Sequence, residues 1–157
     1  MRLTSSVFDD DSRIPKRHTV DGTDVSPPLA WSDVPDGTAE LALVVDDPDA
    51  PRAEPWVHWL LYGIPADCRA LDEGLPRRER LDEPAGARQG RNSFSSNNLG
   101  YRGPAPPRGH GTHHYHFRLH ALDRTLDVPP GADREKLEAA LEGHVLATAE
   151  LTGTYER

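Results

Sequence analysis

Five of the chain's eight histidines fall within eleven residues, His-Gly-Thr-His-His-Tyr-His-Phe-Arg-Leu-His from His110 to His120. Imidazoles at this density are raw material for a transition-metal site or for an anion site, since a neutral ring ligates zinc, copper or nickel and a ring N–H donates to an oxyanion. The spacing decides between them. From His113 onward the aromatic residues and the alternation read as a strand, in which successive side chains point to opposite faces. One face carries Thr112, His114, His116, Arg118 and His120; the other carries His113, Tyr115, Phe117, Leu119 and Ala121. The first is an ordinary wet face, and alternate strand positions are poorly placed to supply three ligands to one ion, so no metal site is expected there. On the second, His113 leads an apolar row and is the histidine with chemistry to explain.

Two earlier segments must hold its partners. The run Leu41 to Val45 is apolar at every position, as in a central strand covered on both faces, and stops at the turn residues Asp47, Pro48, Asp49, Ala50, Pro51. A second strand, Trp-Val-His-Trp-Leu-Leu-Tyr-Gly-Ile from Trp56, follows at once. Alternation puts Trp56, His58, Leu60 and Tyr62 on one face and Val57, Trp59 and Leu61 on the other. Asp47, His58, His113 and Tyr115 thus stand at neighbouring strand ends, where two imidazoles, a carboxylate and a phenol in an apolar setting make a compact pocket of the kind that binds small ligands.

Elsewhere the pattern is less regular. The first forty residues read as short strands and turns. Residues 66 to 112 hold no sustained helical or alternating pattern, and a connection of that length inside a small domain tends to carry function or to be mobile. From Arg77 to Arg108 the net charge is +4, on a chain whose total is −8. Those arginines read equally as a solvated loop tied to nearby carboxylates and as an anion-steering patch. After the histidine strand a 3.6-residue period returns, with Leu137, Ala140, Leu141, Val145, Leu146 and Ala149 on one stripe. Two short helices meeting near Gly143 are expected, the first capped at Asp133 or Ala132, and then a short final strand.

Composition bounds the rest. At 157 residues, with 36% hydrophobic content, fifteen prolines and thirteen glycines, one turn-rich, β-rich domain spanning 1–157 is expected. The negative total argues against nucleic acid and against anionic membrane surfaces. No apolar run is long enough to span a bilayer and the start lacks a signal-peptide core, so stable membrane insertion is not expected and a cytoplasmic location is. The lone cysteine, Cys68, fits a reducing compartment.

The blocks SPPLAWSDVP, LALVVDDPDAP, WVHWLLYGIP, NLGYRGPAPPRGHGTHHYHFRLHALD and GHVLATAELTGTYER run in order from about residue 20 to the C-terminus. Together they resemble the phosphatidylethanolamine-binding protein family, in its prokaryotic Raf kinase inhibitor-like subgroup. That resemblance implies an all-β, Greek-key β-sandwich, with a large antiparallel sheet packed on a smaller one and short helices near the C-terminus. It also implies a pocket for phosphate, phosphoryl or carboxylate groups. The pocket positions fall on Asp47, Asp49, His58, His113 and Tyr115, and backbone N–H groups of the loop from Gly109 to Gly111 would add donors to an oxyanion. Where many relatives have arginine between the pocket histidine and tyrosine, this chain has His114, which by alternation points away from the pocket.

The resemblance further implies a homodimer, with the acidic body making the contact, and a cis peptide bond entering the second strand, here Glu54–Pro55. No cofactor is implied, and no particular protein partner. A non-catalytic binding protein for a small anionic ligand is therefore expected. The alternatives are an inhibitor of a serine protease or protein kinase, which would depend on surface loops, and a hydrolase using Ser93, Ser95 or Ser96. The last lacks the G-x-S-x-G turn of a nucleophile elbow.

Overall fold

The computed structural model describes residues 1–94 and 98–157, and the chain is mostly β. Among the described residues nine strands form two sheets: β1 (Arg2–Thr4), β2 (Ser12–Arg13), β3 (Leu29–Ser32), β4 (Glu40–Asp47), β5 (Trp56–Pro65), β6 (Ala70–Leu71), β7 (Arg88–Gln89), β8 (His113–Leu122) and β9 (Val145–Tyr155), with one α-helix, α1 (Arg134–Leu141). The small sheet has the order β1-β3-β6 and the large one β2-β9-β8-β4-β5-β7. Pairing in the large sheet is antiparallel except between β2 and β9.

β4 is the organising strand. It lies between β5 and β8 and is buried along its whole length, which is why its sequence shows no polar alternation. Leu41, Leu43 and Val45 enter an apolar cluster that takes Leu3, Leu29, Trp31 and Leu71 from the small sheet and Phe117, Leu119 and Leu151 from β8 and β9. Ala42 and Val44 face a second cluster, where Leu137 and Leu141 of α1 meet Leu60, Tyr62, Leu122 and Val128. The histidine strand alternates as expected: His113, Tyr115, Phe117, Leu119 and Ala121 are buried, while His114, His116, Arg118 and His120 are exposed or half-buried.

Three expectations are corrected. The stretch from Val145 is not helical; it is the eleven-residue strand β9, paired along β8 from His113↔Tyr155 to Leu122↔Val145. Val145 and Leu146 are 42% and 45% exposed, so the helical stripe ends at Leu141, whereas Ala149, Leu151, Gly153 and Tyr155 bury with the two-residue period. Spacing by four and spacing by two coincide at Val145 and Ala149, and the β-branched Thr148, Thr152 and Thr154 favour the strand. Second, the cis peptide bond among the described residues is Glu83–Pro84, and Glu54–Pro55 is trans. A prolyl bond favours trans by about 0.5–1 kcal/mol unless its surroundings demand otherwise, and Glu54 and Pro55 are both exposed.

Third, strict alternation fails in β5. Val45 pairs with Trp59 but Asp46 pairs with Val57, so β5 carries one extra residue, His58. Because of this bulge Val57 joins Leu60 and Tyr62 in the second cluster, and Trp59 joins Leu61 in the first.

The helix end is settled by Asp133, whose side chain accepts from the Lys136 N–H at 2.9 Å. Among the described residues no helix is long and apolar enough to cross a membrane.

Gly153 of β9 tests the junction with the amino-terminal segment, because a Cβ there would strike Ile14 and approach Phe8 Cε2 at 3.0 Å, both buried. Gly153→Ala is expected to cost about 1–3 kcal/mol by overpacking. Denaturant unfolding measures it, and an unchanged midpoint would contradict this packing.

Candidate functional site

β4 delivers Asp47 to the sheet end at which β8 begins with His113. Asp47 Oδ2 accepts from His113 Nδ1 at 2.7 Å, and both residues are buried. The other carboxylate oxygen accepts from the Asp49 N–H at 2.8 Å, closing the turn after β4. With Nδ1–H committed to Asp47, the tautomer of a neutral His113 is set and its Nε2 becomes the lone-pair nitrogen.

The β5 bulge aims His58 at the same place. Its Nδ1 donates to the Arg102 carbonyl at 2.6 Å, and its own carbonyl accepts from the Arg102 N–H at 3.0 Å. Arg102 is anchored in turn by Asp24, which takes its Nε at 3.0 Å and the Gly103 N–H at 2.7 Å. Burial pushes the His58 pKa down, against the pull of the Arg102 carbonyl and of Asp47, so the ring is held toward its neutral form. Tyr115 stands edge-on to His58, with ring centroids 5.1 Å apart. Its hydroxyl is buried and has no hydrogen-bond partner among the described residues, and burial raises its pKa, so it remains a phenol with a proton to donate.

Above these groups opens a cleft of about 230 Å³ whose lining includes Asp47, His58 and His113, walled by Trp56, Phe94, Pro106 and Pro107. Arg52 lies over the Trp56 ring at 4.3 Å, on the rim. A larger cleft of about 900 Å³, lined by Glu54, Arg91, Ser93, Asp133 and Arg134, carries none of the four pocket residues. Ser93 belongs to that cleft, and its hydroxyl accepts from the Val57 N–H at 2.8 Å. Ser95 and Ser96 lie outside the described residues.

Not every expected residue joins the pocket. The Asp49 carboxylate turns to the outer face, where one oxygen accepts from both the backbone N–H and Nδ1 of His114 at 2.8 and 2.7 Å. Partial burial opposes ionisation there, but the His114 contacts outweigh it and hold Asp49 below the ordinary carboxylate range. In the glycine loop the Gly109 N–H is bound to the Arg157 carbonyl and the His110 N–H to the Pro107 carbonyl, so these two donors are spent on the fold. Gly109 and Gly111 both have positive φ, 76° and 92°, which is what this tight loop requires of them.

The loop instead contributes a residue that pattern reasoning passed over. His110 Nδ1 lies 2.6 Å from His113 Nε2. His110 precedes the strand, so alternation says nothing about it. Asp24, Arg102 and Phe94 were equally silent in sequence, since each acts through contacts distant along the chain.

The remaining histidines of the strand pair off on the outer face, His116 with Glu150 at 2.6 Å and His120 with Thr148 at 2.8 Å. Among the described residues no three histidine, cysteine or acidic side chains gather as metal ligands would. The arginine-rich segment is largely stitched down. Arg77 binds the Tyr101 carbonyl and Asp24, Arg88 the Leu126 carbonyl, Arg91 the Gly131 carbonyl and Arg102 Asp24. This is the solvated-loop account rather than a free cationic patch.

A two-sheet β fold with a small apolar cleft over an Asp–His pair is a specific arrangement, and comparison with known proteins assigns it to a family. The family model for phosphatidylethanolamine-binding protein matches residues 4–156, and the chain belongs to that family. It is 50% identical over 157 residues to a UPF0098 protein of Methanothermobacter thermautotrophicus, covering 100% of this chain and 99% of that one. Among solved structures, Escherichia coli YbcL superposes with a TM-score of 0.92 at 35% identity, covering 99% of this chain and 98% of its own. A phosphatidylethanolamine-binding protein homologue from Chlamydia trachomatis superposes with a TM-score of 0.87 at 39% identity, covering 99% and 97%.

Two outcomes check the site's construction. Asp24→Ala removes the acceptor shared by Arg102 and the Gly103 N–H and is expected to cost about 1–3 kcal/mol in thermal or chemical unfolding. The lowered His58 pKa means that the unfolded chain takes up this proton more readily than the folded one, so stability falls as pH drops below the ordinary histidine value of 6.5. His58→Gln, which can still donate to Arg102, is expected to flatten that acid-side slope. An identical pH–stability profile in the two proteins would contradict the burial of a neutral ring.

Proposed function

We propose that the chain is a non-catalytic binding protein whose cleft takes the phosphate, phosphoryl or carboxylate group of a small ligand. The observation that carries this reading is the buried Asp47–His113 pair at the base of an apolar cleft, together with a buried Tyr115 hydroxyl that has no partner among the described residues. A buried polar atom without a partner costs about 1–3 kcal/mol, and a ligand oxygen would recover that cost. Aromatic and proline walls exclude water and strengthen whatever polar contacts form.

The protonation pattern favours a ligand that both donates and accepts. Neutral His58, with Nδ1–H given to Arg102, offers a lone pair at Nε2, while Tyr115 offers a proton. A monoprotonated phosphate has the matching set: its P–OH donates to His58 and its unprotonated oxygens accept from Tyr115 and from the imidazolium form of His113. Asp47 orients His113 and stabilises that cation. The same reading takes the two sheets as the family's Greek-key sandwich, in keeping with the apolar cluster they share.

On this reading the complex keeps a proton that free phosphomonoester, with a second pKa near 6, and free His58 both lose as pH rises. Affinity for a phosphomonoester is expected to fall by about tenfold per pH unit above about pH 7. His113→Gln loses the charge-assisted contact and is expected to bind about ten- to a hundredfold more weakly, while His116→Gln on the outer face binds as wild type does. Calorimetric titration across pH 6 to 8.5 measures all three. Equal, pH-independent affinities would reject the pocket assignment.

A further inference from the structure

From the His110–His113 contact we infer that His110 is a built-in competitor for the ligand: it occupies the ring nitrogen of His113 that an incoming anion needs, and binding requires its displacement. This rests on the pocket reading above and adds to it a residue that sets affinity from outside the buried site.

The geometry leaves His113 no spare edge. Nδ1 faces Asp47 at 2.7 Å and Nε2 faces His110 Nδ1 at 2.6 Å. When His113 is neutral its Nε2 is an acceptor, and His110 fills it by donating Nδ1–H. When His113 is the imidazolium its Nε2 becomes a donor, and His110 fills it again by presenting Nδ1 in the other tautomer. An imidazole can satisfy either form of its neighbour because it holds both roles in one ring. An anion can satisfy only the donor form. His110 therefore competes with the ligand when His113 is charged and stabilises the ligand-incompetent form when it is neutral. Asp47 holds the opposite nitrogen, Nδ1, and lines the cleft with His58 and His113.

The contact is also built to open. His113 is buried, but His110 is exposed, on a loop flanked by Gly109 and Gly111. At both glycines a Cβ would meet nothing within 4 Å, so open space surrounds the loop on either side of His110. Its upstream side is fastened where the Gly109 N–H binds the Arg157 carbonyl and Arg157 Nε binds the Pro106 carbonyl. The Pro106 wall of the cleft thus stays fixed while the His110 side chain turns out to solvent.

The test uses inorganic phosphate and the full chain. Calorimetric titration at pH 7 compares wild type, His110→Ala and His113→Gln. Because His110 is exposed, its removal leaves the core intact. A competitor closed nine-tenths of the time lowers apparent affinity about tenfold, so His110→Ala is expected to bind about tenfold more tightly than wild type. Measurable binding by His110→Ala with none by wild type supports the inference equally. If His110 were instead a ligand, or a helpful positive charge, its removal would weaken binding. Unchanged or weakened affinity in His110→Ala, with affinity still lost in His113→Gln, overturns the competitor and leaves the pocket reading standing. Binding by none of the three overturns both.

Discussion

A carboxylate can end a fully buried strand only if both of its oxygens find donors, since an unpaired buried charge costs several kcal/mol. Asp47 meets that condition with the Asp49 N–H on one oxygen and His113 on the other. Much of the site follows from it. The first bond closes the turn that ends β4. The second ties β4 to the start of β8, chooses the His113 tautomer and sends Nε2 of that ring toward His110. The neighbouring Asp46, one position earlier and therefore on the other face, meets its own burial cost with Arg118 and Arg134. Two consecutive buried acids, each neutralised on its own side of one sheet, leave β4 little freedom of register.

The parts of this arrangement that depend on period were legible in the amino-acid order. The unbroken apolar run of β4 marked a strand covered on both faces, and the alternation of β8 separated buried His113 and Tyr115 from exposed His114 and His116. Family blocks assigned the two-sheet β architecture as well. What escaped was whatever breaks a period or acts across it. Residues 145–155 satisfied two spacings at once, and pairing with β8 decided between them. Asp49 sits in the expected turn but spends its carboxylate on His114, a contact between segments 65 residues apart in the chain. His110 lies one turn outside the strand, where no alternation reaches.

The long connection between β5 and β8 shows the same limit from another side. Its lack of pattern signalled irregular structure but not its purpose. In the fold, buried Gln89 accepts from Trp59 and donates to the carbonyls of Pro76 and Arg78, which pins the connection against β5. The segment farther along, Arg102, can then hold the His58 ring by its carbonyl and the His58 backbone by its N–H. An irregular loop thereby acts as the mould that fixes an imidazole.

The bulge at His58 separates two properties that usually travel together. On either side of it the faces of β5 are consistent: Trp56, Val57, Trp59 and Leu60 would alternate perfectly if residue 58 were absent, with Asp46↔Val57 running straight on to Val45↔Trp59. The imidazole is thus an insertion between two successive pairings of the strand, and the core loses no side chain by its presence. Folding and recognition are written in different letters of the same segment. A lineage could gain or discard the ring by a single codon insertion or deletion while keeping every apolar contact of β5, so relatives that share this scaffold need not share its site.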